Sequence, residues 1–197
     1  MIRRLRSASL FLSLLVPALV SAQGAPTAAP SSAATVVAAD PMRPFVTGTR
    51  NFSVGYMALG EYEGHGGGVM FEKGMLSFSP RLHVGIGAFA GVQRNTESFG
   101  ATSVRFTSIP VMGIANVHLA PVSMPKLDLY AGLSAGFTRT SVDTDVAVLS
   151  PLDEAGTDFS LGLQGGARYS LSQRSSLLLQ LGVGDLPFVF AGASFKF

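Results

Sequence analysis

Residues 81–95 read RLHVGIGAFAGVQRN. Leu82, Val84, Ile86, Ala88, Ala90 and Val92 fall on one parity, and His83, Gly85, Gly87, Phe89, Gly91 and Gln93 on the other. Alternation sends successive side chains to opposite faces of an extended chain, so the segment predicts a strand with one apolar face and one face of glycine and polar residues. The same period recurs in 127–138 (LDLYAGLSAGFT), 158–170 (DFSLGLQGGARYS) and the last residues, where Val189, Ala191, Ala193, Phe195 and Phe197 oppose Ser194 and Lys196. Together these runs predict eight strands at 50–61, 67–78, 82–93, 103–119, 127–138, 157–170, 175–184 and 187–197. Most exceed the ~5–6 residues usual in soluble sheets and approach the ~9–11 that cross a tilted path through a bilayer.

The identity of the apolar face separates a soluble barrel from a membrane barrel. A soluble barrel keeps its large apolar residues inside and its charges outside. In this chain the second face carries Gly, Ser and Gln, too small and polar for an efficient core, and only 13% of all residues are charged against about 25% in soluble domains. The leucine face is therefore read as lipid-facing and the glycine-polar face as the lumen. A sheet in hydrocarbon cannot leave backbone groups unpaired, so the strands must close into a ring. Aromatic residues at strand ends become interface girdles, with Phe52, Tyr169, Phe195 and Phe197 at the inner rim and Phe137 and Phe159 at the outer one. Long connections after the first, third and fifth strands (GEYEGHGGG, RNTESFGATS and residues 139–158) and shorter ones after the second, fourth and sixth fit outer loops and inner turns.

Residues 1–22 carry Arg3, Arg4 and Arg6, an apolar run from Leu10 to Val20 and the small-residue site Val20-Ser21-Ala22. That order predicts a secretory signal peptide cleaved after Ala22, the apolar run being too short for a spanning helix. Cleavage removes three of the fourteen basic residues and none of the twelve acidic ones, which turns +2 into −1 and leaves no basic domain for nucleic acid. Residues 23–44, rich in Ala, Pro and Ser, read as a flexible arm, and 45–197 as the barrel domain. The chain contains no cysteine, hence neither disulfide nor thiolate metal site.

These eight runs, the segment RYSLSQRSSLLLQLGVG (168–184) as strand, tight turn and strand, and the terminal ASFKF together resemble the eight-stranded outer-membrane barrels of the OmpA/OmpX and opacity-protein type, over roughly residues 45–197. The resemblance implies an all-β, antiparallel, up-and-down transmembrane barrel in the outer membrane of a Gram-negative-type bacterium. It also implies that Phe195 and Phe197 form an insertion signal read by the barrel-assembly machinery, with membrane lipid or lipopolysaccharide as surroundings and a monomeric state. Two positions depart from a regular barrel. Pro110 lacks the N–H its strand needs and predicts a bulge or interruption; Glu72 and Lys73 take opposite faces, so one of them points at lipid, lies near an interface or is rescued by a bulge.

An eight-stranded lumen is about wide enough for side chains to fill. A polar network of Asp128, Arg168, Gln164, Lys196 and His83 is expected there, with His118 at similar depth and an Asp128–Arg168 salt bridge. Outer-loop residues Glu61, Glu63 and His65, and the acidic group Asp143, Asp145, Asp153, Glu154 and Asp158, read as solvated loops ahead of metal sites. No cofactor, metal or catalytic residue is expected, since His118 and Ser123 lack a geometry that activates the hydroxyl. The expected role is a non-catalytic barrel displaying outer loops for envelope integrity, adhesion or surface interaction. Three alternatives stay open: a narrow channel or transporter for small apolar molecules, an outer-membrane lipid-modifying hydrolase in which His118 or His83 faces a hydroxyl, and a soluble periplasmic binding barrel.

Overall fold

The computed structural model describes residues 45–59, 64–99, 102–144, 155–185 and 188–197. The signal peptide with its Ala22 site, the arm, Glu61, Glu63, Asp145, Asp153 and Glu154 lie outside them. The described strands are β1 (Arg50–Leu59), β2 (Gly64–Ser79), β3 (Leu82–Phe99), β4 (Thr102–Leu119), β5 (Leu127–Thr144), β6 (Ala155–Ser170), β7 (Ser175–Gly184) and β8 (Phe188–Lys196). Each pairs antiparallel with its sequence neighbour, and β1 closes on β8, setting Phe52 opposite Phe195 and Asn51 opposite Lys196. Closure leaves no edge in the region where all eight strands run together, which satisfies the backbone without water.

The parity read from the sequence is the parity of the wall. Leu82, Val84, Ile86, Ala88, Ala90 and Val92 point outward, as do Leu133, Leu161, Leu163, Leu181 and Val183, these last five between 51% and 61% exposed. Gln93, Asp128, Gln164, Arg168 and Gln180 point inward and are buried. An apolar outer band this continuous is unstable against water and stable against hydrocarbon, so the barrel spans a membrane with its leucine face in lipid. Phe137 and Phe159 meet edge to face at 5.5 Å on this surface, near one end of the band.

Two expectations need correction, and a third, at Pro110, is met as an interruption. The connections after the first, third and fifth strands are shorter than the sequence suggests, because β2 begins at Gly64, β3 reaches Phe99 and β5 reaches Thr144. In these stretches Thr96, Val104, Thr140 and Val142 continue the ladder, but the outward residues have turned polar. Leaving the lipid removes the apolar contrast that marks a strand without removing its hydrogen bonds. At Pro110, pairing with β5 is unbroken (Pro110 opposite Thr138), while pairing with β3 lapses between Ala90–Val111 and Gln93–Ser108 and resumes in the same register. The proline thus costs a local gap and no bulge. The bulges lie instead on β2, between Gly74 and Leu76 and between Ser77 and Ser79.

The second correction concerns the lumen, which is not polar throughout. Met57, Met70, Phe89, Met112, Ile114, Tyr130, Leu178, Phe188 and Phe190 form a buried apolar cluster inside the ring. Phe89 stacks on Phe188 at 5.7 Å and meets Phe190 edge-on at 5.5 Å. No strand contributes more than two of these, and β6 contributes none, so the inward face reads as small and polar while the interior is packed.

A closed ionic cluster in the lumen

The barrel end where β1 starts and β8 finishes, called here the terminal end, holds the polar cluster. Glu72 is the centre. Its facing is fixed by β2 parity: Phe71 and Lys73 point outward, and Glu72 points inward with no exposed surface. Arg168 Nη2 donates to Glu72 Oε2 at 2.5 Å, and Asn116 Nδ2 donates to Oε1 at 2.7 Å. His118 lies between two carboxylates, with Nε2 3.0 Å from Glu72 Oε1 and Nδ1 2.9 Å from Asp128 Oδ2. Ionised carboxylates only accept, so a ring donating from both nitrogens satisfies the geometry, and Glu72, Asp128, Arg168 and His118 then balance to zero charge.

Asp128 and Arg168 face each other across β5 and β6, as their spacing suggests, at 3.7 Å from Nη1 to Oδ2. The shorter bond of Arg168 goes to Glu72. Gln164 donates to Asn116 Oδ1 (2.7 Å), Gln180 to Gln164 Oε1 (3.1 Å) and Tyr130 to Gln180 Oε1 (2.8 Å), so one chain of bonds crosses from β7 to β2. Burying an ion costs several kcal/mol unless its partners are well placed, and here the carboxylate of Glu72 accepts from three donors. Lys196 also turns inward but stands half-buried at the last residue of β8.

Phe45, outside every periodic run, seals this cluster. It is 2% exposed and stacks on His118 with ring centres 3.7 Å apart and planes 12° from parallel. The Arg168 guanidinium sits 5.7 Å from its ring centre and 5.1 Å from that of Tyr130. Ahead of β1 the chain turns back into the barrel, through Gly48 at a φ of +85°, and bonds to β2 through Gly48 N to Gly74 O and Gly74 N to Thr49 O, both 2.9 Å. Gly85 makes room: a Cβ there would lie 2.6 Å from Phe45 Cζ. His83 lies beside this segment; its Nδ1 is 2.7 Å from Ser77 Oγ, which shares a short hydrogen bond with Thr47 Oγ1.

Sequence parity had a signal for Glu72 that the bulges obscured. Val69 and Phe71 mark one outward parity and Leu76 and Phe78 the other, so the frame flips inside β2 and the dipeptide could not be assigned. Phe45 gave no periodic signal at all.

For the hydrolase reading, His118 has both ring nitrogens engaged by carboxylates and Ser123 lies exposed in the turn after β4. His83 does meet a hydroxyl, Ser77, and the same hydroxyl is tied to Thr47 of the inserted segment. The contact anchors that segment to β2 and β3. At the other end His65 stacks on Tyr56 at 6.4 Å on the outer surface.

No protein-family model matches the chain, and no curated protein does. Among solved structures it is similar to Ail, the attachment invasion locus protein of Yersinia pestis, at a TM-score of 0.52 and 15% identity, covering 77% of this chain and 100% of Ail. It is similar also to the outer-membrane protein OprG of Pseudomonas aeruginosa, at 0.54 and 13% identity, covering 80% of this chain and 99% of OprG. At these identities the likeness concerns the fold. With the closed ring, the apolar outer band and these matches together, the chain has the eight-stranded transmembrane β-barrel fold of outer-membrane proteins.

Proposed function

We propose that this protein is a non-catalytic outer-membrane barrel whose terminal end faces the periplasm and whose raised wall presents an interaction surface outside the cell. The observation that carries the reading is the uneven height of the barrel. Strands β3, β4 and β5 have 18 residues each, whereas β7 and β1 have 10 and β8 has 9. About 9–11 tilted residues cross a bilayer, so the short strands match its thickness and β3 to β6 continue beyond it as a four-stranded sheet. Thr96 opposite Arg105, and Thr140 opposite Gly156, belong to this extension. Against conduction stands the packed interior, ionic at the terminal end and filled by Met57, Phe89, Met112 and Phe190 above it.

Planar-bilayer recording tests the reading directly. The purified protein is expected to give no unitary conductance steps, and regular steps would overturn the scaffold reading in favour of a channel. One feature favours a second reading, a lateral route for small apolar molecules: the pairing gap where Gly91 and Val92 face Ile109 and Pro110. Under that reading, uptake of a small apolar solute into proteoliposomes would stop when a Val92→Cys, Ile109→Cys disulfide bridges the gap.

A further inference from the structure

Two rows of outward side chains cross the wall near the closure of the barrel. Phe195, Phe52 and Phe71 are register partners on β8, β1 and β2, each 40–45% exposed. One step toward the terminal end, on the same parity, come Phe197, Arg50 and Lys73, with Phe197 N donating to Arg50 O at 3.0 Å. Arg50 and Lys73 are exposed and directly opposite each other on paired strands. Like charges so placed repel and are unfavourable unless something neutralises them. Among the described residues no Asp or Glu carboxylate lies within 4.0 Å of Arg50 or Lys73, the carboxylates that meet a cation being those of Glu72 and Asp128 in the lumen.

The setting tells what the missing anion is. An aromatic row marks the interface level of a membrane barrel, with hydrocarbon on one side and headgroups on the other. The two cations come next after that row on β1 and β2, within reach of a lipid phosphate, while Leu76 and Phe78 carry apolar surface further along β2. An arginine fork and a lysine ammonium suit phosphate oxygens, one by paired donors and the other as a point charge. We infer that Arg50 and Lys73 hold the phosphate of an anionic lipid in the leaflet at the terminal end, its acyl chains lying over Phe52, Phe71 and Phe195.

The test compares urea unfolding of the full barrel in vesicles of phosphatidylcholine with and without phosphatidylglycerol, the folded fraction being read from heat-modifiable gel mobility. Anionic lipid is expected to raise the folded-to-unfolded ratio of the native protein. Arg50→Gln with Lys73→Gln should lose roughly 30-fold of that gain, the attraction of two surface cations. The charge-keeping pair Arg50→Lys, Lys73→Arg should retain it, as should Arg81→Gln with Lys126→Gln, which removes two exposed cations from turns at the same end. Equal loss in the turn variant would mean diffuse attraction and overturn the site. An equal gain from inorganic phosphate in neutral detergent micelles would mean a free-anion site and overturn the lipid assignment. If the double variant does not fold, native mass spectrometry of the unmodified protein decides, because equal retention of phosphatidylglycerol and phosphatidylcholine refutes the inference.

Discussion

Replacing Glu72 by Gln keeps the shape of the side chain and removes one charge from the centre of the lumen. Arg168, fully buried, then keeps only the 3.7 Å contact to Asp128 as an ionic partner, and His118 loses one of its two carboxylates. Breaking a buried ion pair at one partner costs about 3–5 kcal/mol, or roughly 10²–10⁴ in the folding equilibrium constant. The double replacement Glu72→Leu, Arg168→Met removes both charges together and should lie within about 2 kcal/mol of the native protein, because apolar substitutes for a whole buried pair are often neutral. With Glu72→Leu and Arg168→Met as the single corners, each breaking the pair at one partner, the two changes couple by at least about 2 kcal/mol in a double-mutant cycle. Reversible urea unfolding in lipid vesicles, followed by gel mobility because the chain has no Trp, supplies the measurement. A Glu72→Gln protein within about 0.5 kcal/mol of native would refute the account, since it would mean that Arg168 needs no partner in the lumen.

Phe45→Ala should destabilise the barrel by about 3–5 kcal/mol through the cavity it leaves over His118, measured by the same unfolding. Gly85→Val should be damaging in the native background and much less so beside Phe45→Ala; equal cost in both would show that the ring does not occupy the space above Gly85. Leu133→Arg, on the lipid face midway along the membrane-crossing part of β5, should cost about 2–4 kcal/mol in vesicles, and a neutral result would reverse the face assignment. Phe197→Asp should reduce the amount of folded barrel recovered from cell envelopes while refolding in vitro stays near native, because the new carboxylate lands beside Arg50. Normal assembly in cells would remove the insertion-signal role of Phe197.

The sequence made the ring legible wherever the wall touches lipid. There, apolar outward residues alternate with mostly small or polar inward ones over β3, β5 and β6, Phe89 and Tyr130 being large inward exceptions, because hydrocarbon on one side and a crowded lumen on the other select opposite side chains. Asp128 and Arg168 could be placed opposite each other for the same reason. Legibility failed where that contrast ends. Residues 95–99 and 139–144 continue β3 and β5 with polar residues on both faces apart from Phe99 and Val142, too few to mark a period, and the hydrogen-bond ladder identifies them. It failed again where a bulge shifts the frame, so that Glu72 could not be assigned to the cluster it centres. Phe45 lay beyond reach because its place depends on a turn at Gly48 and on the absence of a side chain at Gly85, two facts that belong to different strands.

The position of Phe45 also has a mechanical side. It lies upstream of β1, and among the described residues its segment is held to the wall by the two backbone bonds to Gly74, the Thr47–Ser77 contact and the stack of its own ring on His118. Tension on the chain ahead of it is therefore delivered to the aromatic ring before it reaches any strand pairing of the barrel. Withdrawing that ring would uncover His118 and Arg168 while the ring of strands stays shut, so the stopper and the vessel can come apart at different loads.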